Sequence, residues 1–288
     1  MQDEQRFVRG VMAVCALLGS CSRELPAERA ATATREPIAA PGAAPAVPAP
    51  VASGEVSFAT SAAHGGSGVA VVELFTSEGC SSCPPADRVL ASLTSRAISG
   101  SLPVYTLSFH VDYWNYLGWR DRFSSSNYSA RQRGYSSINA AAGTYTPQVV
   151  VNGEAECVGS DASRIEDLVD SALKRLPRTQ IALDARRGAD GIEVSYRVSG
   201  ATAGRVLNLA LLEPRAESQV EHGENAGERL AHVNVVRVFA SRALSDGNAG
   251  RWTLKPGPDF TARRVGVVAY AEGASQRDIS GATALELP

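Results

Sequence analysis

Cys80 and Cys83, three positions apart in Glu73-Leu-Phe-Thr-Ser-Glu-Gly-Cys80-Ser-Ser-Cys83-Pro-Pro, are the residues of this chain best suited to chemistry. Sulfurs at this spacing can form an inert disulfide, supply half of a zinc site, or exchange electrons with another molecule's sulfurs. Zinc would need a second pair of ligands. Beyond Cys80 and Cys83, and apart from Cys15 and Cys21 in the N-terminal leader, there remain Cys157 and His64, His110, His222 and His232, none at finger-like spacing. The run Val69-Ala-Val-Val-Glu-Leu-Phe75 is short, apolar and rich in β-branched residues, which predicts a buried strand. In Ala86-Asp-Arg-Val-Leu-Ala-Ser-Leu93, Val89, Leu90 and Leu93 share one face of a predicted helix. Both thiols therefore stand at a strand-to-helix turn, where unpaired N–H groups and the positive end of the helix dipole favour a thiolate. On this reading Cys80 is the exposed nucleophile and Cys83, one turn inside, the partner that closes the disulfide. Ser81 and Ser82 can donate hydrogen bonds to a thiolate or cap the helix, and Pro84 and Pro85 suit a first turn whose N–H groups have no helical partner.

The elements that must hold this turn follow from periodicity. Over 69–178 the pattern reads β-α-β-α-β-β-α. Pro103–Phe109 is the second strand, Tyr128–Tyr135 a helix, Gln148–Val151 a strand ending at the hairpin signal Asn152-Gly153, and Asp161–Leu176 a closing helix with Ile165, Leu168, Val169 and Leu173 on one side. Strands alternating with helices imply a mixed sheet covered on both faces. Over 179–288 the character changes. Ile192, Val194, Tyr196 and Val198 alternate with polar residues, and further strands are expected at 205–212, 232–240, 250–254, 264–272 and 282–287, as in an all-β sandwich.

Three motifs in order, Glu73–Pro85 with the following Ala86-Asp87, Ser108-Phe-His-Val-Asp-Tyr-Trp-Asn115, and Tyr145-Thr-Pro-Gln-Val-Val-Val-Asn-Gly153, closely resemble the bacterial secreted thioredoxin-like proteins grouped as domain of unknown function 1223, over about residues 69 to 285. The resemblance implies a thioredoxin-like α/β domain and an envelope location, but brings no established reaction. In thioredoxin-like proteins a cis-proline faces the disulfide, a position that Thr146-Pro147 matches, and a buried acid beneath the resolving cysteine relays protons. Glu73 is the candidate for that acid, with a strand-edge glutamate reaching solvent as the alternative. The expected reaction is attack of the Cys80 thiolate on a protein or peptide disulfide and resolution of the mixed disulfide by Cys83, or the reverse, without a cofactor. A second reading is copper carriage: two thiolates and one imidazole, Cys80, Cys83 and His110, suit Cu(I), as in envelope copper chaperones of thioredoxin fold. A third is a non-catalytic adaptor with a structural disulfide.

Bulk properties narrow the partners. The chain has 288 residues and a formal charge of −2, with no basic stripe, which argues against nucleic acid. Residues 1–21 read as an export signal: Arg6 and Arg9, an apolar run too short to span a bilayer, then Leu18-Gly-Ser-Cys21. That tetrapeptide resembles the lipobox of bacterial lipoproteins, so Cys21 is the candidate lipidation site and the only expected membrane tie. An ordinary cleaved signal with an incidental Cys21 is the alternative, and both place the protein in the periplasm or cell envelope. Residues 22–68, rich in Ala and Pro, read as a disordered tether. Tyr and Trp crowd the segment 113–145, either to grip a peptide or to pack a local core. Arg120, Asp121, Arg131 and Arg133 read as solvated or mutually paired. Gly223-Glu-Asn-Ala-Gly227 reads as a turn offering polar groups to the first domain or to a partner, or as a hairpin with a solvent face.

Overall fold

The computed structural model describes residues 68–135, 143–244, 248–273 and 275–288. The export signal, Cys21 and all of the tether but Gly68 lie outside them. The described chain is mixed α/β and mostly β: β1 Ala70–Thr76, α1 Cys83–Ser99, β2 Val104–His110, α2 Ser126–Tyr135, β3 Gln148–Val151, β4 Ala155–Val158, α3 Ala162–Leu173, β5 Thr179–Gly188, β6 Gly191–Gly200, β7 Arg205–Gln219, β8 Arg229–Ala243, β9 Ala249–Leu254, β10 Val265–Gly273 and β11 Gly281–Leu287.

Eight strands form one mixed sheet in the order β11-β10-β7-β8-β2-β1-β3-β4, and β5-β6-β9 form a second. The large sheet crosses the boundary expected at 178/179 because β8 lies parallel to β2, registered at Ser108 and Val235. Asn234, beside that register point, takes φ +49° and donates to Thr106 Oγ1 at 2.8 Å, so a side chain helps hold the seam.

Alternation along β1 assigns the faces. Ala70, Val72 and Leu74 pack with Leu90 and Leu93 of α1 and Val169 of α3, while Val71 and Phe75 pack with Tyr128 and Tyr135 of α2. The second sheet covers β7 and β10: Val194, Tyr196 and Leu254 meet Leu209, Leu211 and Val267 in a common core. Its first strand, β5, has no counterpart in the sequence reading; Ile181, Leu183 and Ala185 share one face of it and are only partly buried.

The Asn152-Gly153 signal marks a real turn between β3 and β4, with φ +49° and +67°. Asn152 also stitches β1: its Oδ1 accepts from Val71 N–H at 2.8 Å and its Nδ2 donates to Val69 O at 2.9 Å. A Cβ on Gly153 would stand 2.2 Å from the carbonyl oxygen of Gln276, so only glycine fits. The closing helix starts where expected, with Asp161 accepting from Arg164 N–H at 3.0 Å. It stops at Leu173, ahead of Pro177.

Candidate functional site

Cys80 and Cys83 are joined in a disulfide where β1 gives way to α1. Ser82 stands at the N-cap but its side chain caps nothing; its Oγ lies 3.4 Å from Cys80 Sγ instead. Thr146 Oγ1 donates to the same sulfur at 3.3 Å, and the Thr146–Pro147 bond is cis. One sulfur is thus flanked by two hydroxyls at the head of a helix, an environment suited to a thiolate.

Two expectations are corrected here. Cys80 is not exposed: both cysteines have 0% accessibility, although Ser81 and Ser82 between them are exposed. The cover comes from two distant segments. Asn225, in the turn between β7 and β8, donates through Nδ2 to the carbonyls of Glu78 (2.8 Å) and Cys80 (3.0 Å), while Glu224 accepts the Ser81 N–H at 3.0 Å. From the aromatic segment, Trp114 donates to Thr146 Oγ1 at 2.8 Å, and a Cβ on Gly79 would stand 3.1 Å from Trp114 Cβ. The Gly223–Gly227 turn therefore offers its polar groups to the cysteine turn, the first of the alternatives raised for it.

The proton-relay role expected of Glu73 is the second correction. Glu73 shares the α2 face of the sheet with Val71 and Phe75, opposite the face that α1 covers, because adjacent strand residues alternate. Nor does it reach solvent. Arg131 donates to both its oxygens at 2.7 and 3.1 Å, and Tyr270 donates to Oε1 at 2.5 Å. The same guanidinium binds Glu272 at 3.1 and 3.3 Å and the hydroxyls of Tyr135 and Tyr270 at 2.6 and 2.9 Å. Burial, with Glu73 nearby, raises the Glu272 carboxyl above the usual range despite Arg131. Arg131 is thus neither solvated nor paired with Asp121, as the sequence suggested, but ties α2, β1 and β10 together.

His110 and Asp121 belong to a different buried group. His110 Nδ1 lies 2.7 Å from Asp121 Oδ2, which also accepts the Glu78 N–H at 2.9 Å. The His110 ring meets that of His232, from β8, edge to face at 4.7 Å. His232 stands between two acids, Nε2 at 3.5 Å from Glu78 Oε1 and Nδ1 at 3.6 Å from Asp87 Oδ2. Burial would depress the imidazole, but Asp87 and Glu78 raise it to about 10. Burial would raise Asp121, but the charge and hydrogen bond of His110, with the N–H groups of Glu78 and Phe123, hold it below the usual range. Among the described residues no group of three or more His, Cys, Asp or Glu side chains is gathered as a metal site. Cys157 is a half-buried free thiol, pushed up to about 11 by burial, then by Asp161 and Glu156.

A pH dependence follows. Between the ordinary histidine value of 6.5 and about 10, folded His232 keeps a proton that the unfolded chain releases. Its contribution to stability is fully present below the lower value and is lost as pH rises through the upper, at up to about 1.4 kcal/mol per pH unit. Urea midpoints should fall with pH across this window, and His232→Gln should flatten the slope.

Sequence missed most of this cluster. The signal that pointed to it is Asp87, a carboxylate on the same helix face as Ala86 and Leu90, where an unpartnered charge is costly.

Fold and site together define a mixed α/β protein with a shielded Cys-x-x-Cys disulfide at a strand-to-helix turn and a buried acid–histidine cluster beside it. The chain belongs to the family described as "Protein of unknown function (DUF1223)", whose model matches residues 71–272. It is similar to the crystal structure of protein AGR_C_4864 from Agrobacterium tumefaciens, at 30% identity and a TM-score of 0.56, over 76% of this chain and 94% of that one. OgpA from Akkermansia muciniphila aligns over 40% of this chain and 28% of its own, at 13% identity and a TM-score of 0.24. No curated protein matches.

Proposed function

We propose that the protein is a thiol–disulfide oxidoreductase of thioredoxin-like build, exported to the cell envelope and acting on protein or peptide sulfurs. The observation that carries this reading is the surroundings of Cys80 Sγ: a helix start and the Ser82 and Thr146 hydroxyls at 3.4 and 3.3 Å. Neighbouring hydroxyls stabilise a thiolate leaving group, which makes a disulfide easier to reduce. The strand order β2-β1-β3-β4, with α1 and α3 on one face and α2 on the other, supports the thioredoxin-like reading of 69–178. The facing sheets of the second half support a sandwich-like reading of 179–288. The envelope address and the anchor at Cys21 rest on the leader sequence alone.

Zero exposure of both sulfurs favours a second reading, a structural disulfide. In the oxidoreductase reading, exchange waits on release of the Asn225 and Glu224 contacts.

Equilibration with glutathione or dithiothreitol buffers, followed by turnover of a model disulfide, separates the two. Reversible reduction with the fold retained, and turnover lost in Cys80→Ser, is the result expected of an oxidoreductase. A potential below about −300 mV with no turnover marks the bond as structural.

A further inference from the structure

We infer that Asp87 and His232 hold the proton that the Cys83 thiol takes up when the disulfide is reduced and returns when it reforms. The inference rests on the oxidoreductase reading above. Asp87 lies four residues along α1 from Cys83, so the two share a helix face one turn apart, and both are buried. A carboxylate there needs a partner, and the partner is an imidazole supplied by β8, 3.6 Å away. The other imidazole nitrogen faces Glu78, two residues before Cys80. His232 thus bridges the acid below one cysteine and the acid ahead of the other.

The geometry is unlike that of a finished structural ion pair. The His232 nitrogens stand 3.5 and 3.6 Å from their acids, too far for close hydrogen bonds, and His110 Nε2 is buried with no hydrogen-bond partner among the described residues, whereas buried polar atoms are normally satisfied. That is spare capacity where a proton can be accepted or given. The other ionisable groups facing His232 are His110, on the adjacent strand, and Asp121, fixed to His110 Nδ1. Phe123 lies against His232, with Arg122 and Arg237 over its ring at 4.3 and 5.1 Å.

The step balances as follows. Once the cover has moved, a substrate thiolate attacks Cys80 Sγ, forming a mixed disulfide and breaking the Cys80–Cys83 bond. Cys83 leaves with the electron pair, and its thiolate, in a buried site, takes a proton from His232 through Asp87. The substrate's second thiolate attacks the substrate sulfur of the mixed disulfide and expels Cys80 as a thiolate. Two electrons have passed from the substrate dithiol to the protein. The substrate leaves as a disulfide, and solvent reprotonates the cluster.

The test uses the full chain with Cys15, Cys21 and Cys157 each replaced by Ser, so that Cys80 and Cys83 are the thiols observed. In protein labelled with ¹⁵N-histidine, the His232 ring resonances should differ between the oxidised and dithiothreitol-reduced states, and their pH titration should shift with oxidation state. Thiolate absorbance of the reduced protein should show about a tenfold or larger change in the proton affinity of Cys83 in Asp87→Asn, with partial restoration in Asp87→Glu. His232 resonances that ignore the oxidation state overturn the inference without needing a variant that folds, as does a superimposable Asp87→Asn titration. Either result leaves the oxidoreductase reading standing if turnover persists. A disulfide that resists reduction in the native state overturns both.

Discussion

Arg131→Met should lower the folding free energy by about 3–5 kcal/mol, the usual cost of removing one partner from a buried ion pair. Small domains are stable by only about 5–15 kcal/mol, so the loss is a large share of the total. The reason is electrostatic. The guanidinium, itself buried, lies between Glu73 and Glu272 and also binds two tyrosine hydroxyls. Met can replace its stem but leaves two carboxylates facing each other in an apolar layer. Urea unfolding followed by circular dichroism measures the effect. Combining Arg131→Met with Glu73→Leu should return part of the loss, because a protein without the pair avoids the cost of an uncompensated charge. A single-variant loss below about 1 kcal/mol would show that water reaches the site and that the network is not a structural centre.

Asn225→Ala should speed native-state reduction of the disulfide by dithiothreitol roughly 5- to 150-fold. The substitution removes two hydrogen bonds to the Glu78 and Cys80 carbonyls, each worth about 0.5–1.5 kcal/mol, and so lowers the free energy of local opening by that sum. Asn225 is buried in a turn whose other residues are mostly exposed, so few other contacts are lost and the melting temperature should fall little. Glu224→Gln keeps a carbonyl acceptor for Ser81 N–H, and Glu224 is exposed; it should change the rate much less. An Asn225→Ala rate equal to wild type would mean that Trp114 and the body of the sheet, not the turn, limit access.

The parts legible in sequence were those set by local pattern. The strand at 70–76, the helix opened by Cys83, the Asn152-Gly153 turn and the Asp161 cap each depend on residues close in the chain. The misreadings of Arg131 and of the partners of Glu73 concern residues far apart in sequence. Glu73 and Arg131 are 58 positions apart and Arg131 and Glu272 are 141, so no window connects them. The exposure assigned to Cys80 failed for the same reason, since its cover includes a turn some 145 residues away. Face assignment was the avoidable error: strand alternation already put Glu73 on the other side from Leu74, which packs toward α1. Asp87 likewise announced itself as a charge among apolar helix neighbours.

The junction between β2 and β8 is, in effect, one half of the chain adding a strand to an open border of the other, the mode by which many separate proteins recruit peptides. Because both borders belong to one polypeptide, the docking is unimolecular and does not vary with dilution. An otherwise adhesive rim is thereby sealed from foreign strands.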